Sequence, residues 1–203
     1  MITLAVGKEG AVLALEPNRY VFKVLQKNAQ LNPKLTNIIP LCAAATKEAG
    51  EFEFNYSDAS FSNGGFLSQI EKKRHGHAYK LKVKGVNLQD LLYEQYANLL
   101  PKLEMIKIDA EGYDKEILKT IPSILEQFHP NILAECYKRL NQSERYELFD
   151  VIHAYGYQLF RLTDIAGTGN RIRIGRENMN DEKHFEILAM HPSRMHDDKA
   201  ERQ

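Results

Sequence analysis

Short apolar runs alternate with helically spaced segments along this chain. That alternation restricts it to an α/β architecture with a mainly parallel, doubly wound sheet. Ala11–Leu15 is apolar and stops at Glu16-Pro17, where proline cannot donate a ladder hydrogen bond. Asn18 then stands as N-cap of a helix carrying Val21, Val24, Leu25 and Leu31 at helical spacing, ended by Asn32-Pro33. Asn37–Ala44 is a second buried strand, and Glu51–Tyr56 alternates polar and apolar as an exposed strand does. Further on, Asn87–Tyr96 reads as a helix, Glu104–Ile108 as a strand, and Tyr113–Phe128 as a helix broken at Pro122. Asn131–Cys136 is a strand, Ser143 caps a helix reaching His153, and Gly156–Leu162 and Phe185–Met190 are two late strands. Residues 1–191 read as a single domain, and 192–203, half of them charged, as a disordered tail.

Composition removes other classes. At 203 residues, 43% hydrophobic and 27% charged, the chain is long and apolar enough for its own core. Lys plus Arg and Asp plus Glu are equal at 27 each, which argues against a general nucleic-acid binder. No apolar run approaches the roughly 18–20 residues of a membrane span, and Met1–Gly10 lacks the pattern of a signal peptide. Cys42 and Cys136 are too few for a disulfide framework and read as buried thiols of a cytoplasmic protein. Glu71–Gly85 holds six basic residues and one acid. Its second half is either an edge strand protected by lysines or a docking patch for an anionic substrate.

In a doubly wound sheet, ligands bind at the carboxyl ends of strands. The residues standing there are Glu16, then Cys42-Ala43-Ala44, then Asp109-Ala110-Glu111, then Glu135. A carboxylate at Glu16 can accept hydrogen bonds from both hydroxyls of an adenosine ribose, or simply favour a helix N-terminus. Ala43 and Ala44 leave either a flat slot for an adenine ring or room for close helix–sheet packing. Asp109 and Glu111 can bind an ammonium group, hold a metal or take a proton from a hydroxyl, while Asp109 alone can cap a helix. His75-Gly76-His77 is a candidate metal pair or base, or else a pair of exposed histidines, and nothing else has zinc-ligand spacing, so no metal is expected.

Five segments, in order, resemble the FkbM family of S-adenosylmethionine-dependent methyltransferases. They are Val12-Leu-Ala-Leu-Glu-Pro-Asn18, Cys42-Ala43-Ala44 with Gly50-Glu-Phe-Glu-Phe54, Val86-Asn-Leu-Gln-Asp-Leu-Leu92, Met105-Ile-Lys-Ile-Asp-Ala-Glu-Gly112, and His129-Pro-Asn-Ile-Leu-Ala-Glu135. The resemblance implies a class I, Rossmann-like methyltransferase fold whose last strand is antiparallel. It implies S-adenosylmethionine as cofactor and a hydroxyl acceptor on a sugar, glycan or natural product. It assigns Glu16 to the ribose with Asn18 beside it, Ala43 and Ala44 to the adenine, and Asp109 and Glu111 to the methionine end or the acceptor. The catalytic base is Asp109 or Glu111, with His75 or His77 from a covering loop as second choice.

The chain also departs from the family pattern. Members begin with a strand and a D-x-G-A-x-x-G loop, whereas Met1–Gly10 resembles the helix after that loop. The expected sheet therefore has its first, central strand missing or truncated. Either the protein starts upstream of Met1, or the chain is an inactive remnant or partner-binding domain. A nicotinamide-dependent oxidoreductase is the other enzyme reading, since Glu16 would serve its ribose too.

Overall fold

A computed structural model describes residues 6–7, 9–31, 37–56, 64–65, 79–163 and 170–195. The chain divides into two compact units, Met1–Asn87 and Leu88–Gln203.

The first unit opens with a strand–helix–strand turn of chain. Strand β1 (Val12–Leu15) pairs in parallel with β2 (Ile38–Leu41), in the register Val12↔Ile38 to Leu15↔Leu41. Helix α1 (Arg19–Leu31) connects them. It rests on a half-buried face made by Val21, Phe22, Leu25 and Ala29, while Val24 and Leu31 point outward, unlike the expected apolar stripe. Both strands are half-buried rather than fully buried, because the described sheet here has two strands.

The second sheet of this unit contains β3 (Ala44–Ala45), β4 (Gly50–Tyr56), β5 (Gly64–Gly65) and β6 (Tyr79–Val86), in the order β3-β6-β4-β5. Alternation sends Leu81 and Val83 inward to join Ala44, Phe54 and Tyr56, and leaves Lys80, Lys82 and Lys84 in water. The sequence suggested an edge strand for these lysines. Instead β6 is internal, antiparallel to β4 along its length and parallel to β3 at its end. The lysines meet acids of β4, with Lys80 Nζ 2.6 Å from Glu53 and Lys82 Nζ 2.8 Å from Glu51. Gly85 is required by packing, since a Cβ there would strike the Phe52 ring and Thr46 Oγ1.

In the second unit, five strands lie in the order β10-β9-β11-β8-β7. They are β7 (Met105–Lys107), β8 (Asn131–Cys136), β9 (Gln158–Leu162), β10 (Arg171–Ile174) and β11 (Phe185–Met190). β7 and β8 are parallel, and β11 runs antiparallel between β8 and β9. The described sheets are therefore mixed rather than mainly parallel. The late strands return on themselves without crossover helices, which turns their pairing antiparallel. Strand β10 has no counterpart in the sequence reading.

The helices of this unit are α2 (Leu88–Gln95), α3 (Asp114–Leu118), α4 (Pro122–Phe128) and α5 (Gln142–His153). Pro122 divides α3 from α4 as expected, since proline is tolerated only in a first helical turn. The cap of α5 is Asn141 rather than Ser143. Its Oδ1 accepts from Glu144 N–H at 3.0 Å, and Glu144 Oε2 accepts from Asn141 N–H at 2.8 Å, closing a capping box. Leu118, Ile124, Ile132, Leu148, Ile152 and Ile187 are sealed in the core.

Arg145, on the buried face of α5, donates to the carbonyls of Met179, Glu182 and Lys183 at 2.6–2.9 Å. It thereby fixes the segment leading into β11. Pro192–Arg194 forms a 3₁₀ turn instead of fraying. Arg194 is held there by both oxygens of Glu104 at 3.0 Å and by Phe128 O at 2.9 Å. Residues 196–203 lie outside the described residues. Among the described residues, no helix is long and apolar enough to cross a membrane.

Candidate functional site

In the first unit, Glu16 follows β1 directly, and its N–H extends the β1–β2 ladder by donating to Leu41 O at 3.0 Å. The next two residues turn the chain into α1. Glu16 Oε1 accepts from Asn18 N–H at 2.7 Å, and Asn18 Oδ1 accepts from Tyr20 N–H at 2.9 Å, capping the helix as expected. Burial raises the proton affinity of the Glu16 carboxyl, and the Asn18 N–H opposes it. Asn18 is completely buried, yet its Nδ2 finds no hydrogen-bond partner among the described residues. A sealed amide donor without a partner is costly.

Cys42 is exposed rather than buried, because Ala43 N–H closes a tight turn onto Leu41 O at 3.0 Å and leaves Cys42 outside it. Its thiol is pushed up by partial desolvation on its inner side and by the charge of Glu16. Ala43 and Ala44 are both buried, and Ala44 belongs to the core cluster with Tyr56. Tyr56 was not anticipated as a site residue. Its hydroxyl is sealed without a partner among the described residues, and is pushed up by burial, then by Glu16 and Cys42. Near Glu16 there are thus two buried polar groups, Asn18 Nδ2 and the Tyr56 hydroxyl, without partners among the described residues. His75 and His77 lie outside the described residues.

In the second unit, β7 ends in the turn Asp109-Ala110-Glu111-Gly112. Glu111 has φ 52° and Gly112 φ 96°, two successive left-handed residues. For Glu111 that conformation costs about 1 kcal/mol or more, and such strain clusters at functional sites. At Gly112 a Cβ would press on Leu140 Cδ2 at 3.1 Å and Tyr137 Cδ1 at 3.2 Å.

The strap holding this turn is Asp114, which the sequence reading did not single out. It is 1% exposed. Its Oδ2 accepts from Ala110 N–H at 3.3 Å and its Oδ1 from Glu135 N–H at 3.1 Å, tying the turn to β8. Burial raises its proton affinity, and these N–H donors pull it back.

Asp109 is exposed and 3.1 Å from Lys107 Nζ, so it faces solvent rather than capping a helix. Glu111 accepts from the Tyr137 hydroxyl, which burial and this bond push up to about 12. Glu135, at the end of β8, was noted for its position but given no role. It is buried, with Oε1 3.2 Å from His184 Nδ1 and Oε2 sealed without a partner among the described residues. Its carboxyl is pushed up to about 7 by burial, then by the charges of Asp109, Glu111, Asp114 and Glu186. Glu186 stands directly opposite it on β11. Among the described residues, no group of three or more His, Cys, Asp or Glu side chains is placed to hold a metal ion.

Each unit thus presents a polar site at the carboxyl end of a parallel strand pair, the place where α/β proteins bind ligands. The sequence profile of the Methyltransferase FkbM domain family matches residues 2–159, and the chain belongs to that family. It is also 24% identical over 151 residues to "Methyltransferase sdnD" of Sordaria araneosa. That match covers 64% of this chain and 58% of the relative, so the chain spans little more than half of that protein's length. No solved structure matches.

Proposed function

We propose that this chain is an S-adenosylmethionine-dependent methyltransferase acting on a hydroxyl of a sugar, glycan or other small natural product, in the cytoplasm. We also take 1–191 as one class I, Rossmann-like, doubly wound domain. In support, the family match runs through residues 2–159 and so past Asn87. Each unit contributes a parallel pair, and β11 lies antiparallel beside β8 as the last strand of such a fold does.

The observation that carries the cofactor assignment is Glu16 at the end of β1, beside Asn18, whose buried Nδ2 has no partner among the described residues. A carboxylate accepts from ribose hydroxyls, and an amide N–H₂ donates to a ribose oxygen, so the residues present fit this group. Ala43 is assigned to the adenine. Ala44 keeps the same assignment through its backbone, since its side chain is in the core. In the second unit, Asp109 and Glu111 are assigned to the methionine ammonium or the acceptor, both by position and by negative charge.

When bound, the cofactor supplies a methyl group activated on a sulfonium. The protein supplies position, shelter from water and a place for the acceptor's proton. Amide-resolved NMR of the full chain tests this reading, with S-adenosylmethionine added. Saturable shifts at Glu16, Asn18 and Ala43 are expected. Shifts scattered elsewhere, or none, would reject it.

A further inference from the structure

We propose that His184, held from behind by Glu135, is the residue that removes the acceptor's proton. This rests on the methyltransferase reading and names the base within it. Strand β11 is antiparallel to β8 with Phe185 opposite Cys136, so His184 stands at the carboxyl end of β8. That is the same end as the Asp109–Gly112 turn, which Asp114 straps to Glu135. His184 is about half exposed while Glu135 is buried, and they meet through Nδ1 and Oε1 at 3.2 Å. A carboxylate behind Nδ1 holds the hydrogen on that nitrogen and leaves Nε2 as an outward base. The lead to the loop is firm because Arg145 clamps the carbonyls of Glu182 and Lys183 just before it.

The other strand-end acids are less suited. Asp109 is exposed and tied to Lys107, Glu111 accepts from Tyr137, and both Asp114 oxygens serve backbone donors. In the proposed step the acceptor's O–H proton passes to His184 Nε2. The oxygen's electron pair forms the O–CH₃ bond. The C–S bond breaks, and its pair leaves with sulfur as a neutral thioether.

The groups facing the pair are Asp109 and Glu111 from the turn, Asp114 from α3 and Glu186 from β11, with Lys107 of β7 near Asp109 and Glu186. Four carboxylates and one lysine favour a cation beside them.

The test is nitrogen-15 NMR of His184 in the full chain at about pH 9, where the Glu135 carboxyl is ionised. Hydrogen on Nδ1 and a bare Nε2 are expected in the free protein, and Glu135→Gln should change that tautomer balance. Saturating S-adenosylmethionine should shift the Nε2 signal, and S-adenosylhomocysteine, which lacks the sulfonium charge, should shift it less. Hydrogen on Nε2, or equal shifts from both compounds, would overturn the assignment while leaving the methyltransferase reading in place. Binding of neither compound would bring down that reading, and this one with it.

Discussion

The acids of β4 and the acids at the ends of β7, β8 and β11 are arranged in opposite ways. On β4, Glu51 and Glu53 each face a lysine of β6, and all four side chains are in water. Such pairs contribute little to stability and serve solubility and strand register. In the second unit, Asp109, Glu111, Asp114, Glu135 and Glu186 are near one another, with Lys107 and His184 as the basic groups at hand. Burial adds to the repulsion and raises the Glu135 carboxyl to about 7. Charges balanced closely on one sheet and left unbalanced on another are the reason the second is proposed as the place of chemistry.

That contrast can be broken in several ways. The largest effect is expected at Asp114→Ala, which leaves the N–H groups of Ala110 and Glu135 unpaired and should cost about 3 kcal/mol in denaturant unfolding. An Asp114→Ala protein as stable as wild type would show that the strap does not hold the turn.

Glu135→Gln should give a pH-dependent effect. The folded carboxyl takes a proton at about 7, above its ordinary 4.5, so its contribution to stability is complete below that ordinary value and is lost as pH rises through 7. The variant should therefore melt several degrees above wild type in alkaline buffer, with the gap closing in acid. A gap independent of pH would contradict the raised proton affinity.

Gly112→Ala should cost about 1–2 kcal/mol, because it forces a side chain to φ 96° against Leu140 and Tyr137. Equilibrium unfolding measures it. The smallest effect is expected at Lys82→Ala, which should leave the unfolding midpoint unchanged. A clear drop there would mean that the β4–β6 ladder does more than keep the sheet soluble.

How far the sequence reaches depends on how local the cause is. The ends of β1, β7 and β8 were legible because apolar runs stop at Glu16-Pro17, at Asp109 and near Glu135. The division at Pro122 was legible because proline acts on its own helix. Asn141 was mistaken for Ser143 because both are good caps two residues apart, and only the Glu144 reciprocal bond decides. β10 went unread because its outward residues are arginines in a short segment. The internal place of β6 depends on β3, a two-residue partner.

Within the candidate site, Glu16, Asn18, Asp109 and Glu111 were legible from strand-end position. Asp114, Tyr137 and His184 were not, since their importance comes from partners far along the chain, Glu135 for Asp114 and His184 and Glu111 for Tyr137. Cys42 looked like a buried thiol by type, and a single backbone turn at Ala43 exposes it.

The central claim is that Glu16 and its neighbours hold S-adenosylmethionine. The most direct test is calorimetric titration of the full chain with S-adenosylmethionine and, separately, with NAD, for wild type and Glu16→Ala. Saturable binding of S-adenosylmethionine alone is predicted, weakened about ten- to a hundredfold in the variant by loss of a charged hydrogen-bond acceptor. Binding of NAD without S-adenosylmethionine, or unchanged affinity in Glu16→Ala, would contradict it.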